Sequence, residues 1–500
     1  MDVSGVMAVV DAGDFTIARE IIMRGVAALF FLAFLSGFRQ FPALLGKNGL
    51  SPATEFIRRT SWRQGPSVFR WRRTPYSDGL MRIVCAVGMA LAASAVIGIP
   101  QLGPAWAPIP IFLAMLGLYL SIVSIGQRFY GFGWEMMLLE AGFLAGFLGS
   151  HAVDPPAPIL LFLCWMVFRV EFGAGMIKWR GDPQWRNLTA MDFHHETQPM
   201  PGPLSRWAHL RAPWWHKVET VGNFVVQLGA PFLLFLPQPI ATFGALAIIA
   251  SQLALVVTGN YAWLNWLTII LATAAISDST LAWFGGGPWP GLSWFGIEPH
   301  TTAETHASPL WWSAGIMVVF LWLLVLSRRP LLNLLSPNQR MNAAFNVFKL
   351  VNAYGAFGSM TRVRRELIIE GTRACDPSES DWLPYEFRGK PGDVYRTPRQ
   401  FAPYHLRLDW LMWFAALGAY REPWFRALLV RLAQGDRGIR TLLRTDPYDG
   451  GAPALLRVRV FEYRYATSVE RRETGRYWTR ELQGTLVRPC SLTDLSPRDE

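Results

Sequence analysis

Residues 157–177, APILLFLCWMVFRVEFGAGMI, form an apolar run of about the 20 residues that a helix needs to cross a bilayer, yet they carry Arg169 and Glu171. Similar runs recur on both sides, at 21–38, 83–99, 109–125, 134–149, 221–236, 240–257, 261–276 and 310–326. The pattern predicts a polytopic α-helical membrane protein of eight or nine helices, the short runs being tilted, buried or interfacial. The first run is expected to be a retained helix, because Asp11, Asp14 and Glu20 precede it and no small-residue cleavage site follows.

Composition supports this reading. Of the 500 residues, 51% are hydrophobic and 17% charged, against about 25% charged in soluble proteins. Residues 1–330 hold 21 Lys/Arg and 17 Asp/Glu, whereas the shorter remainder holds 26 and 19. The chain therefore divides into a multi-helix transmembrane domain, 1–335, and a C-terminal α+β soluble domain, 336–500. The net charge of +11 is spread along the chain without a basic stripe, which argues against a nucleic-acid partner. Membrane lipids are the expected surroundings.

Long loops are expected at 39–82, 178–220 and 277–309, the last rich in tryptophan and expected at a membrane interface. With nine spans, the first two lie on the side of the C-terminal domain, and the third lies opposite with the N-terminus. By the positive-inside rule, the arginines at 58–73 place the C-terminal side in the cytoplasm. In that domain, 343–351, 363–370, 454–466 and 476–488 read as strands, the last two as a hairpin. Residues 405–418 and 424–433 read as amphipathic helices, the first resting on the membrane surface through Trp410, Leu411, Trp413 and Phe414.

Ionisable residues within apolar runs are costly, about 2.5–3.5 kcal/mol each on insertion scales, and mark functional or structural pairing. Arg128, Glu135, Glu140, Arg169, Glu171 and Lys178 form such a set. Next comes the polar loop 178–203, with Trp179, Arg180, Asp182, Trp185, His194, His195, Glu196, Gln198 and Pro199. Glu171, Lys178, His194 and His195 are the candidates for proton handling. No metal is assigned, because adjacent histidines do not converge on one ion in regular structure and HExxH is absent. No cofactor motif is present either. Asn223, Gln227, Asn260, Tyr261 and Asn265 are expected as polar ties within the bundle. Four dispersed cysteines argue against dithiol chemistry, although Cys375 and Cys490 could form one bridge.

Several motifs carry a resemblance: GWEMMLLEAGFL (133–144), GMIKWRGDPQWR with HHETQPMP (175–201), TGNYAWLNWLT (258–268), VNAYGAFGSMT (351–361), WLPYEFRGKPGDVYRTPR (382–399) and PYHLRLDWLMW (403–413). In this order they resemble the lipase maturation factor family over nearly the whole chain. They bring forward Asn352, Tyr354, Trp382, Tyr385, His405, Asp409 and Trp410 in the C-terminal domain. The resemblance implies a polytopic protein that, in animals, resides in the endoplasmic reticulum membrane and is needed for secreted lipases to mature. Its membrane part is similar to the vitamin K-dependent gamma-carboxylase group, whose catalytic lysine has no matching motif here. The Arg-rich chain with short loops suits a bacterial inner-membrane homologue. The family precedent puts the C-terminal domain on the exported side, opposite to the arginine count. The resulting expectation is an integral-membrane folding and maturation factor with an exported, lipase-like client. The alternative is an integral-membrane enzyme acting on a lipid, quinone-like or peptide substrate, and a transporter is a third reading.

Overall fold

In the computed structural model, which describes residues 10–285 and 308–495, every one of the nine apolar runs contains helix. Helix α1 (Thr16–Leu45) is the longest. Its exposed amide donors are satisfied from far along the chain: Thr16 N and Ile17 N donate to the Asp278 carboxylate at 2.9 and 3.2 Å. It is followed by α2 (Asp78–Val96), started by the Ser77 hydroxyl accepting from Leu80 N, and α3 (Pro108–Ile125), which opens on proline. Next come α4 (Gly133–Gly146) and α5 (Ala157–Arg180), then the short α6 (Met191–Thr197) inside the polar loop.

Helix α7 (Pro213–Phe224) runs into a π-helical turn at Val225–Gly229 and a last turn at Ala230–Leu233. The bundle is completed by α8 (Ile240–Thr258), α9 (Leu264–Ala272) and α10 (Leu310–Leu335). Among the described residues, six helices, α1, α2, α3, α5, α8 and α10, are long and apolar enough to cross a membrane. The protein is thus an integral membrane protein. The other three runs, α4, the broken α7 stretch and α9, form shorter helices.

Close approach in the bundle relies on small residues. A Cβ on Gly88 of α2 would lie 2.5 Å from the Phe34 ring, and one on Gly142 of α4 would lie 2.4 Å from the Phe30 ring. Both rings belong to α1, so glycine on each neighbour lets α1 sit at the centre.

One end of the bundle gathers the segment that leads into α1, with Asp11 and Asp14, and the described ends of the third long loop. Ser279 N donates to Asp14 at 2.8 Å, and Ser308 N donates to Asp11 at 3.2 Å. The rest of that loop, 286–307, with its expected interfacial tryptophans, lies outside the described residues. The other end gathers the 178–220 loop and the C-terminal region. There, strands β1 (Arg364–Thr372), β2 (Leu383–Pro384), β3 (Leu455–Tyr465) and β4 (Trp478–Cys490) form an antiparallel sheet in the order β2-β1-β3-β4. Ile368 faces Arg459 across the first long pair, and Val458 faces Val487 across the second. The β3–β4 connection is a short helix closed by a Thr467/Glu470 capping box and by Gly475 at φ 71°. Helices α11 (Arg407–Ala416) and α12 (Pro423–Ala433) pack between sheet and bundle.

Three expectations are corrected. Residues 343–351 are not a strand: beyond an isolated Ala343–Ala353 bridge, Lys349 and Val351 take φ of 54° and 52°, and the chain turns into the bundle. Helix α11 does not lie on a membrane surface. Trp410 is buried, its ring 4.8 Å from Trp134, and the Trp413 indole donates to Thr197 O. Its apolar face serves the junction between the two parts of the chain. Finally, Cys375 and Cys490 are unbridged, as are Cys85 and Cys164.

Candidate functional site

The ionisable residues in the apolar runs do not form one cluster. Glu140 on α4 pairs with Arg169 on α5, and both side chains are buried. The inserted segment completes this pair: Arg169 donates to Asn352 O at 2.7 Å, while Asn352 N and the Tyr354 hydroxyl donate to Glu140 at 2.9 and 2.8 Å. A buried ion pair is tolerable only when its remaining donors and acceptors are also satisfied. Residues 351–354 do this for the Glu140 carboxylate and for one nitrogen of the Arg169 guanidinium.

Glu135 belongs to a different centre. Arg407, at the start of α11, donates to Glu135 Oε1 at 2.7 Å and to Phe129 O at 2.7 Å, and its guanidinium lies 3.5 Å from the Tyr130 ring centroid. The Tyr119 hydroxyl donates to the other Glu135 oxygen. His405 Nδ1 stands 3.6 Å from Glu135 within a box of Phe132, Trp134, Trp263 and Trp410. Burial and the Arg407 charge push the His405 imidazole down to about 4, so the ring is neutral at pH 7. Arg128 is not part of either centre. It is exposed and pairs with Glu422 at 2.8 Å.

Each of the four proton-handling candidates has a polar partner. Glu171 accepts from Gln252 at 2.6 Å, and Gln252 in turn accepts from Asn265 at 2.9 Å. Lys178 donates to Asn223 at 2.9 Å and Gln227 at 3.0 Å, and lies 4.6 Å from the Trp185 ring centroid. The Tyr261 hydroxyl donates to Gln198 and lies 3.0 Å from His194 Nε2, which fixes that nitrogen as the protonated one. Burial, with help from His195 and Lys178, lowers His194 to about 3. His195 turns the other way, its Nε2 3.3 Å from Glu219. Of the expected bundle ties, Asn223, Gln227 and Tyr261 are thus partners of these candidates, and Asn265 reaches Glu171 through Gln252.

The 178–203 loop is held from several sides. Asp182 accepts from Gln184 N and Met360 N, and the buried Trp185 donates to Phe357 O at 2.9 Å. Arg180 donates to Leu334 O and Gln339, while Trp179 is half-exposed against Phe224. Glu196 accepts from Tyr465 N at 2.8 Å. Gln198 donates to Ser205 and to Thr258 O. Arg364 of β1 donates to the carbonyls of Glu196, Gln198 and Pro199 and pairs with the buried Glu366, whose other oxygen meets Lys390. Asn260 bridges Pro201 O, Arg399 O and the amides of Phe401 and Ala402. The loop thus serves as a packed joint between bundle and sheet.

Of the C-terminal residues singled out, Asn352, Tyr354 and His405 enter the bundle centres. Asp409 accepts from Gly389 N at 2.6 Å. Trp382 lies under Arg457 at 4.3 Å, and Tyr385 packs on Tyr448. Sequence reasoning missed Arg407, Arg364, Glu366, Lys390, His216 and Glu219. Only Arg407 carried a signal, a lone charge between Leu406 and Leu408 ahead of an apolar helix.

With this geometry in hand, comparison with known proteins is specific. Residues 17–283 match a model described as the lipase maturation factor transmembrane domain, and residues 350–488 match the lipase maturation factor C-terminal domain. The chain is 37% identical to lipase maturation factor 1 of Mus musculus, over 97% of this chain and 88% of that protein. It is 36% identical to lipase maturation factor 1 of Homo sapiens, over 97% and 90% respectively. Lipase maturation factor 2 of Gallus gallus is 28% identical, over 92% of this chain and 79% of its own length. No solved structure matches.

Proposed function

Because the chain belongs to the lipase maturation factor family, we propose that it is an integral-membrane maturation factor whose clients are exported lipases. The observation that carries this reading is similarity over nearly the full length, through both the membrane part and the C-terminal part, to proteins named for that role. A non-enzymatic mode of action is part of this reading, and the buried charges that act as fastenings between the bundle and the C-terminal region are in keeping with it. A transmembrane domain over 1–335 then anchors a client-facing end made of the 178–203 loop and the domain at 336–500. That end faces the exported side, where a folding lipase is met, and the host membrane is a bacterial inner membrane.

The test is the activity per milligram of the host's secreted lipases with and without this gene, complemented by the wild type and by a His194→Gln/His195→Gln variant that inserts normally. Collapse of lipase specific activity on deletion, restored by the wild type, is the expected result. Unchanged lipases would overturn the reading and turn attention to a membrane enzyme, with lipid and quinone profiles as the next measurement.

A further inference from the structure

His195 of α6 and His216 and Glu219 of α7 are brought together although the sequence sets the first more than twenty residues before the others. His195 Nε2 and His216 Nδ1 approach the same carboxylate oxygen, Glu219 Oε2, at 3.3 and 3.2 Å, and the three donor atoms all lie within 4.8 Å of one another. Both imidazoles are buried, and the Glu219 side chain is partly exposed, 24%, so the group is open to water on one side.

The protonation pattern of this group is constrained. His216 Nε2 lies 3.2 Å from the carbonyl oxygen of His209, which can only accept, so Nε2 carries a hydrogen. In the neutral ring, Nδ1 then presents a lone pair to a carboxylate oxygen. Two acceptors facing each other require a cation between them, either a proton on the ring or a metal ion. What points to the metal is the grouping: three donors of ligand type, from two helices, within 4.8 Å of one another. Metal bonds of about 2.0–2.1 Å at tetrahedral angles put neighbouring donors about 3.3–3.4 Å apart, close to the separations of 3.3 and 3.2 Å of the two imidazoles from Glu219 Oε2. The backbone carbonyl behind His216 is also the type of outer partner that orients a metal-bound imidazole.

We propose that His195 Nε2, His216 Nδ1 and the Glu219 carboxylate hold one divalent transition-metal ion, zinc by the chemistry of the donor set, with a fourth position left to water. Two imidazoles and a carboxylate with a water are a set that zinc takes, shared with other first-row transition metals, and they do not suit magnesium or calcium, which take oxygen shells. His194 takes no part, since its Nε2 is committed to Tyr261. The adjacent histidines therefore do not share an ion. One of them joins a pair spaced i, i+3 on another helix, and the ion clips the polar loop to α7. This inference stands on the local geometry and is independent of whether lipases are the clients.

The experiment uses the full chain purified in detergent, stripped with a chelator, and titrated with Zn²⁺ and with Co²⁺ as the spectroscopic probe. The expected result is saturation at about one ion per chain, the intense visible bands of four-coordinate cobalt, and a loss of affinity of at least about 100-fold in Glu219→Gln and His216→Gln. His151→Gln, at the opposite end of the bundle, should bind as the wild type does. Failure of the folded wild type to take up one equivalent, or equal binding by wild type and Glu219→Gln, would overturn the proposal and leave a protonated His216 paired with Glu219. Should both variants fail to fold, X-ray absorption of the zinc-loaded wild type decides. A shell of two imidazole nitrogens with oxygen supports the site, and a shell containing sulfur or only oxygen refutes it.

Discussion

Arg407 and Glu135, 272 positions apart in sequence, meet at 2.7 Å with both side chains fully buried. One comes from the C-terminal region and the other from the first turn of α4, so this contact couples the folding of the two parts. Arg407→Ala should strand the Glu135 carboxylate, leaving Tyr119 as its principal partner, and cost about 3–5 kcal/mol. Thermal unfolding in detergent, followed by tryptophan fluorescence, would measure it. A Glu135→Gln/Arg407→Met double variant, which removes both charges, should recover a large part of that loss. If the single and double variants are equally destabilised, the pair is not the fastening described here.

The Glu140–Arg169 pair makes a comparable prediction for the inserted segment. Asn352 N, Asn352 Nδ2 and the Tyr354 hydroxyl all converge on Glu140 Oε2, at 2.9, 3.0 and 2.8 Å. Glu140→Gln keeps the shape but halves the acceptor capacity and leaves Arg169 without its counter-charge. Hydrogen exchange of amides in 349–355 should accelerate by one to two orders of magnitude, about 1.4 kcal/mol per tenfold. Amides of the β3–β4 hairpin, in contact with neither residue, should be unchanged.

These two centres show what could be read from the sequence and what could not. The runs that became α1, α2, α3, α5, α8 and α10 were legible because bilayer-spanning helices must be apolar over their whole length. Glu140 and Arg169 stood out for the same reason, as charges in costly positions. Arg407 was only faintly legible, as a charge set between Leu406 and Leu408, since a charge in a domain of ordinary charge density attracts little notice until the fold buries it. His216 and Glu219 looked like parts of a solvated loop because α7 is not apolar at its start. The false strand at 343–351 had a plausible apolar content, but its positive φ values are imposed by the descent toward Glu140, a tertiary demand that overrides local preference.

His405 gives a pH dependence of definite sign. Its pKa is lowered from the ordinary 6.5 to about 4 by burial and by Arg407, so on acidification the unfolded chain takes up a proton before the folded one does. The stability lost is zero above pH 6.5 and grows as the pH falls from 6.5 to 4, at no more than about 1.4 kcal/mol per pH unit for one group. Below about 4 the folded ring also protonates and the contribution levels off. His405→Gln should therefore flatten the stability curve between pH 6.5 and 4 relative to wild type. A parallel pair of curves would show that the ring is already charged in the folded protein, held by Glu135.

The side of the membrane faced by the C-terminal region is decided by thiols the chain already contains. Cys375 is exposed, Cys490 is half-buried on β4, and Cys85 and Cys164 are buried within α2 and α5. A Cys490→Ser variant thus carries one readily accessible thiol, at the end that also holds the 178–203 loop. In intact cells with a permeable outer membrane, a membrane-impermeant maleimide should label Cys375 rapidly if that end faces the exported side, as a role in lipase maturation requires. Labelling only after the inner membrane is opened would place the end in the cytoplasm, the side indicated by the arginines at 58–73. The second outcome would also remove the client-facing role proposed for the 178–203 loop, because an exported lipase could not reach it while folding.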